Sequence, residues 1–164
     1  MFADVCGPME EDALCGFWYY VVFKDDFSSF RATYLLHRKN QVAEKLGFFL
    51  EVAKTKAKVT ITELRTDKGL EFDNSEVRQL KQNAGLKHSF TVPYTPQQNG
   101  IAECENRTMV EMVRSLLEAK DLPKFLWGEA VIAATYILNR TAPTKVKGKA
   151  PIELFFKKDI NLII

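Results

Sequence analysis

Between Asn40 and Lys58 the hydrophobic period of the chain changes, and the runs on either side of that change limit the folds open to it. Val42, Leu46, Phe49, Leu50 and Ala53 recur at helical spacing, with Asn40 as a candidate N-cap. Before them come two β-branched, aromatic runs, Gly16 to Lys24 (GFWYYVVFK) and Phe30 to Leu36 (FRATYLL). The polar break between these runs, with Asp25, Asp26, Ser28 and Ser29, is short enough for an antiparallel hairpin. After the helical stretch, Val59 to Arg65 (VTITELR) is β-branched again and runs into the turn cluster Thr66, Asp67, Lys68 and Gly69. A helix between two strands permits parallel pairing, whereas a hairpin is antiparallel. The simplest layered solution is an α/β architecture, a mixed sheet with helices on its faces.

The second half of the chain adds a helix, a strand and then helices. Asn74 or Ser75 caps a short helix that Gly85 ends, and His88 to Val92 is a short strand stopped by Pro93. Pro93 to Gly100 (PYTPQQNG) reads as loop. A long helical pattern follows from Ile101 to Lys120, and beyond Pro123 another runs from Phe125 to Asn139. Thr141 to Pro151 is basic and contains Pro143 and Gly148, so it reads as an exit linker. The expected organisation is a core of residues 1–142 followed by a linker and tail, 143–164.

Composition excludes several classes. With 46% hydrophobic residues in 164, the chain is too apolar for disorder and long enough to bury a core without staples. No apolar stretch approaches the ~20 residues of a membrane span, and no secretory leader opens the sequence. Cys6, Cys15 and Cys104 are odd in number and scattered, which points to a reducing, intracellular compartment. With only His37 and His88 beside them, no zinc set is expected. A balance of 23 basic against 21 acidic residues, net +2, neither demands nor forbids nucleic acid.

Three acids stand where such a fold places functional groups. Asp4 lies in the opening segment before Gly7-Pro8, Asp67 ends a β-branched strand, and Glu103 lies in the first turn of the long helix. Ligands of open α/β sheets gather beyond the carboxyl ends of the strands, which is the position of Asp67. Carboxylates meeting at one edge can hold two hard divalent cations for in-line phosphoryl transfer. A strand-end Asp also serves as a turn residue, and a helix-start Glu complements the helix dipole; pattern alone leaves both readings open. At about 100° per residue, Ala102, Met109, Met112, Val113 and Leu116 share an apolar face, while Glu103, Arg107 and Arg114 form a flanking stripe. Glu105 falls near the apolar face, so Glu103 is the better placed of the two glutamates.

These residues sit in a recognisable order. DVCGPM at Asp4 to Met9, FKDDFSSF at Phe23 to Phe30, LRTDKGLEF at Leu64 to Phe72 and TVPYTPQQNGIAE at Thr91 to Glu103 carry it. NRT at Asn106 to Thr108, WGEA at Trp127 to Ala130 and Asn139-Arg140 continue it. The 35 residues from Lys68 through Ala102 separate the second acid from the third. Together these features resemble the catalytic core of copia-type retrotransposon integrases, in the DDE integrase and transposase superfamily.

The resemblance implies an RNase H-like fold with a mixed five-stranded sheet, and Asp4, Asp67 and Glu103 as catalytic metal ligands. It implies two Mg²⁺ or Mn²⁺ ions per active site, DNA as the partner (element ends and target), and no small-molecule substrate or membrane. The implied reactions are 3′-end processing and strand transfer, carried out by a homo-oligomer and, on chromosomal DNA, in the nucleus. The match is confined to the family's catalytic core, so a part of a longer Pol polyprotein is expected.

Other residues carry weaker expectations. Tyr94 to Gly100 resembles the family's active-site loop, which makes Asn99 a candidate DNA contact. Arg107, Lys145, Lys147 and Lys149 are candidate phosphate contacts, although exposed basic residues are commonly just solvated. Asp25 and Asp26 fit turn chemistry better than metal binding. Where the family has basic residues after the glutamate, this chain has Cys104 and Glu105, which lowers the local positive charge. An inactive, element-derived nucleic-acid-binding or interaction module is the competing expectation.

Overall fold

Five strands and five helices follow the order implied by the changes of period, and a computed structural model describes them for residues 1–67, 69–90 and 96–159, the side chains of 96–105 excepted. The strands are β1 (Phe2–Cys6), β2 (Tyr19–Lys24), β3 (Arg31–Leu36), β4 (Glu63–Thr66) and β5 (Lys87–Phe90). The helices are α1 (Val42–Val52), α2 (Ser75–Ala84), α3 (Pro96–Glu118), α4 (Trp127–Thr141) and α5 (Pro151–Phe156). One mixed sheet results, in the order β3-β2-β1-β4-β5. The hairpin partners β2 and β3 are antiparallel, as are β1 and β2, while β4 runs parallel to both β1 and β5. At the hairpin tip the Asp25 carboxylate accepts from both the backbone N and the Oγ of Ser28, at 2.7 and 2.6 Å, so Asp25 does serve as a turn residue. No described helix is long and apolar enough to cross a membrane.

Both faces of the sheet are covered, as strand alternation requires. Val21 and Phe23 enter one cluster with Leu46 and Phe49 of α1, Leu64 of β4 and Val77 of α2. Tyr20 enters the other, with Met109 of α3 and Trp127, Val131, Ala134 and Leu138 of α4. The described part of the apolar stripe of α3 predicted from its period packs as expected, with Met109 buried and Met112, Val113 and Leu116 against the same cluster, while the side chain of Ala102 lies outside the described residues. Trp127 is core, its Nε1 donating to the Glu11 carbonyl at 2.9 Å, which satisfies the one polar atom of the ring. Asn139 closes the free edge of β3: its Oδ1 accepts from the Arg31 N–H and its Nδ2 donates to the Arg31 carbonyl.

Three local expectations are corrected. Asn40 does not cap α1; a tight turn over Lys39–Gln41 leads in, and the Gln41 side chain accepts from the N–H groups of His37 and Arg38 instead. Residues 96–100, expected as loop, form the start of α3, because Pro96 suits the first helical position, where its missing N–H costs nothing. The stretch 143–164, expected as linker and tail, contains a helix. Pro151–Phe156 forms α5, and Phe155, 1% exposed, stacks on Phe30 at 4.3 Å and faces Phe49 at 6.1 Å inside the first cluster. A fully buried aromatic of this kind is worth several kcal/mol, so Phe155→Ala should cost about 3–5 kcal/mol. Urea denaturation measures it, and a loss below about 1 kcal/mol would show that α5 is an appendage.

Candidate active site

Strand pairing brings the first two acids together. Phe2 of β1 pairs with Arg65 of β4 in parallel register, so two residues further along each chain Asp4 comes level with Asp67. Asp67 follows the last residue of β4 at the carboxyl end of a parallel strand, where the sheet leaves an open edge. Asp4 lies in the middle of β1, half-buried, and all five residues of β1 pair with β2.

The two carboxylates are held differently. Asp67 is exposed, and its Oδ1 accepts the Gly69 N–H at 3.0 Å, closing an Asx turn. Asp4 Oδ1 accepts the Val5 N–H at 2.8 Å, and its Oδ2 accepts from Asn106 Nδ2 of α3. Burial pushes the Asp4 carboxyl above its usual 3.8; the hydrogen bonds from Asn106 and Val5 oppose that, and the negative charges of Asp67 and Glu71 add to it. An aspartate raised in this way, with like charges turned towards it, is stabilised by a bound cation.

Glu71 was not singled out by sequence pattern. It lies in the tight turn Leu70–Phe72, whose Phe72 is fully buried and anchors the segment, and its carboxylate pairs with Lys39 at 3.3 Å. Gly69 lets the two acidic side chains come close without needing unusual backbone angles. A Cβ there would lie 2.7 Å from the Glu71 carboxylate and 2.9 Å from Asp67 Oδ1. Any larger residue at 69 moves one carboxylate or both.

The third acid arrives on α3. Glu103 lies within that helix three residues before Asn106, so the Asn106 bond to Asp4 pins α3 to β1 less than one turn beyond it. The side chains of Glu103, Glu105, Cys104 and Asn99 lie outside the described residues, as do Tyr94 and Thr95. Among the described residues no three histidine, cysteine or acidic side chains converge as a metal site. Asp4 and Asp67 supply two hard oxygen donors facing one edge, a donor set that suits Mg²⁺ or Mn²⁺ and does not suit a soft metal. Arg107, on the next turn of α3, and Lys145 and Lys147, beyond α4, are exposed, whereas Lys149 is engaged by Asp159 at 2.5 Å. Asn106 itself could have been found from the helical wheel, since it lies on the Glu103 side of α3.

No protein-family model matches the chain. The retrovirus-related Pol polyprotein from transposon TNT 1-94 of Nicotiana tabacum is 38% identical over 161 residues, which are 98% of this chain and 12% of that protein. The retrovirus-related Pol polyprotein from transposon RE2 of Arabidopsis thaliana is 31% identical over 143 residues, 87% of this chain and 10% of that one. The transposon Ty1-DR6 Gag-Pol polyprotein of Saccharomyces cerevisiae is 26% identical over 152 residues, 92% of this chain and 9% of its own length. The chain therefore spans only about a tenth of the relatives it matches.

Among solved structures, the catalytic core domain of BIV integrase superposes with a TM-score of 0.64 at 17% identity, covering 95% of this chain and 92% of that one. A chain of the simian T-cell lymphotropic virus intasome, solved with the PP2A regulatory subunit B56 gamma, gives 0.70 at 17% identity, covering 98% and 54%. At that identity the likeness establishes the RNase H-like fold. With the β3-β2-β1-β4-β5 sheet and the sequence relatives side by side, the chain is a homologue of one segment of retrotransposon Pol polyproteins, folded as a retroviral integrase catalytic core.

Proposed function

We propose that this chain is the catalytic core of a copia-type retrotransposon integrase, a metal-dependent polynucleotidyl transferase that processes and joins DNA 3′ ends. The observation that carries the reading is the convergence of Asp4, in the middle of β1, with Asp67, at the carboxyl end of the parallel β4, with the helix bearing Glu103 tied to Asp4 through Asn106. Asp4, Asp67 and Glu103 would hold Mg²⁺ or Mn²⁺, two ions per active site. Bound divalent ions would supply Lewis-acid activation of the attacking oxygen and charge neutralisation at the leaving one.

The chain's own residues do the positioning. Val5 N–H and Asn106 orient the Asp4 carboxylate, and the Gly69 N–H fixes the Asp67 rotamer, so neither acid must reorganise when a cation arrives. No protein nucleophile is required, because water or a DNA 3′-hydroxyl attacks the phosphodiester. We assign the exposed Arg107, Lys145 and Lys147 as contacts to backbone phosphates, and Asn99 as a contact to a DNA end. With a net charge of only +2, most of the phosphate neutralisation falls to bound ions and to further copies or flanking regions of the polyprotein. We place the activity in a homo-oligomer, because two DNA ends must be joined, and in the nucleus, where chromosomal target DNA is.

A strand-transfer assay on a labelled duplex with a recessed 3′ end tests this. Joined products should form with Mn²⁺ or Mg²⁺ and disappear with chelator. Absence of product both from this chain and from one extended at each terminus would favour the inactive DNA-binding module instead.

A further inference from the structure

A second polar network ends on the same strand terminus, from the side away from Asp4. Lys81 lies in the last turns of α2, His88 in β5, and Thr66 is the last residue of β4. Leu64 is the ladder partner of His88, so Thr66, two residues on, is its diagonal neighbour on the same face. Lys81 Nζ is 2.7 Å from His88 Nδ1, His88 Nε2 is 2.9 Å from Thr66 Oγ1, and Thr66 Oγ1 is 2.7 Å from the Asp67 carbonyl oxygen.

Donor chemistry gives this chain a direction. An ammonium group can only donate, so His88 Nδ1 must accept and the imidazole proton resides on Nε2. Nε2–H then donates to Thr66 Oγ1, whose own hydrogen is left for the Asp67 carbonyl. Burial holds the His88 imidazole below its usual 6.5, the Lys81 charge adds to that and Asp73 opposes it, so the neutral ring the network needs is the form present at neutral pH. Thr66 is fully buried, where an unsatisfied hydroxyl is costly. The packing of α2 and β5 does not depend on these polar groups, since Val77, Leu86 and Phe72 already fix that corner in the core.

We propose that His88, as its Nε2–H tautomer oriented by Lys81, is a positioning residue for Asp67, acting through Thr66. The hydrogen bond on the Asp67 carbonyl fixes the peptide plane on one side of the residue, as the Gly69 N–H fixes its carboxylate on the other. Asp67 is exposed and lies beyond the β4 ladder, so these two constraints set the direction in which it offers its oxygens. Outer partners that orient a ligand in this way typically govern metal affinity by about 10–100-fold. The inference rests on the reading of Asp67 as a metal-binding carboxylate.

The test uses the full chain and Mn²⁺ alone as probe. Nitrogen-15 and carbon-13 NMR of the labelled histidines should show His88 as a neutral Nε2–H tautomer near pH 7.5, and Lys81→Met should shift that tautomer balance. His88→Leu should weaken Mn²⁺ binding by about 10–100-fold with a melting temperature close to wild type. His88→Gln keeps an acceptor for Lys81 and a donor for Thr66, and should return affinity to within about threefold of wild type. A protonated or Nδ1–H ring overturns the proposal, as does a Leu variant that binds like wild type or a Gln variant no better than Leu. Should the Leu variant fail to fold, Lys81→Met carries the same comparison, and unchanged Mn²⁺ affinity and tautomer there overturn the proposal equally. If Asp67→Asn binds Mn²⁺ as wild type does, the reading of Asp67 fails on its own terms, and the tautomer result still decides whether the hydrogen-bond chain exists.

Discussion

Asp67→Asn should abolish Mg²⁺-dependent strand transfer and leave the fold as it was. The two halves of that outcome have separate causes. Asparagine keeps a carbonyl oxygen in the position of Oδ1, so the Gly69 N–H still has its acceptor and the turn after β4 is preserved. Asp67 is exposed, and substitutions at such positions change stability by roughly 0.5 kcal/mol or less. The charge, however, is gone, and a neutral amide is a poor partner for a hard divalent ion. Residues that merely orient a ligand are worth about 10–100-fold, so loss of the ligand itself should exceed a hundredfold. Joined product measured by gel against wild type reads the activity, and thermal denaturation reads the fold. The variant also removes one of the negative charges that raise the Asp4 carboxyl, so the Asp4 titration should move down towards 3.8. Wild-type joining by this variant would remove Asp67 from the site and, with it, the proposed mechanism.

How much of this was legible beforehand follows from the range of each interaction. The change of period near Asn40, the hairpin, the Asn74 cap on the Val77 N–H and the Gly85 terminus with φ of 61° are local, and the residue types announce them. Helix α5 is different. It has only six residues between Pro151 and a left-handed Lys157, too short for a periodic pattern, and only the tertiary aromatic stack on Phe30 makes it core. The site divides in the same way. Asp67 at a strand end could be read from position, but the bond from Asn106 to Asp4 spans 102 residues of sequence. The Lys81, His88 and Thr66 chain crosses three elements, and His88 read alone is only a strand residue. Glu71 gains its meaning from Lys39, 32 residues away, and from the missing side chain at Gly69. Pattern locates elements and their ends, whereas contacts across the sheet decide which acid meets which donor.

Adding Mn²⁺ at a hundred times its Kd should raise the melting temperature of the chain by about 5–10 °C at neutral pH, through about 2.7 kcal/mol of mass action. The pH dependence of that rise identifies the site. The folded pKa of Asp4 lies above the unfolded 3.8, chiefly through burial, so between the two values the unfolded chain binds fewer protons than the folded one. Stability contributed by the neutral Asp4 is therefore complete below 3.8 and is lost as pH rises through the folded pKa. Mn²⁺ has the opposite sign, because it binds only the ionised carboxylates and stabilises the state that acid removes. The difference between melting curves with Mn²⁺ and with chelator should thus be close to zero in acid and open as pH rises through the same window. Asp4→Asn removes the buried charge, so it should flatten the metal-free curve and eliminate the Mn²⁺ response together. A Mn²⁺ response that is independent of pH, or that survives in Asp4→Asn, would place the cation elsewhere on the protein. Loss of both effects in one variant is the outcome expected of a cation site that contains Asp4, because among the described carboxylates Asp4 is the one raised chiefly by burial with like charges, Asp67 and Glu71, beside it.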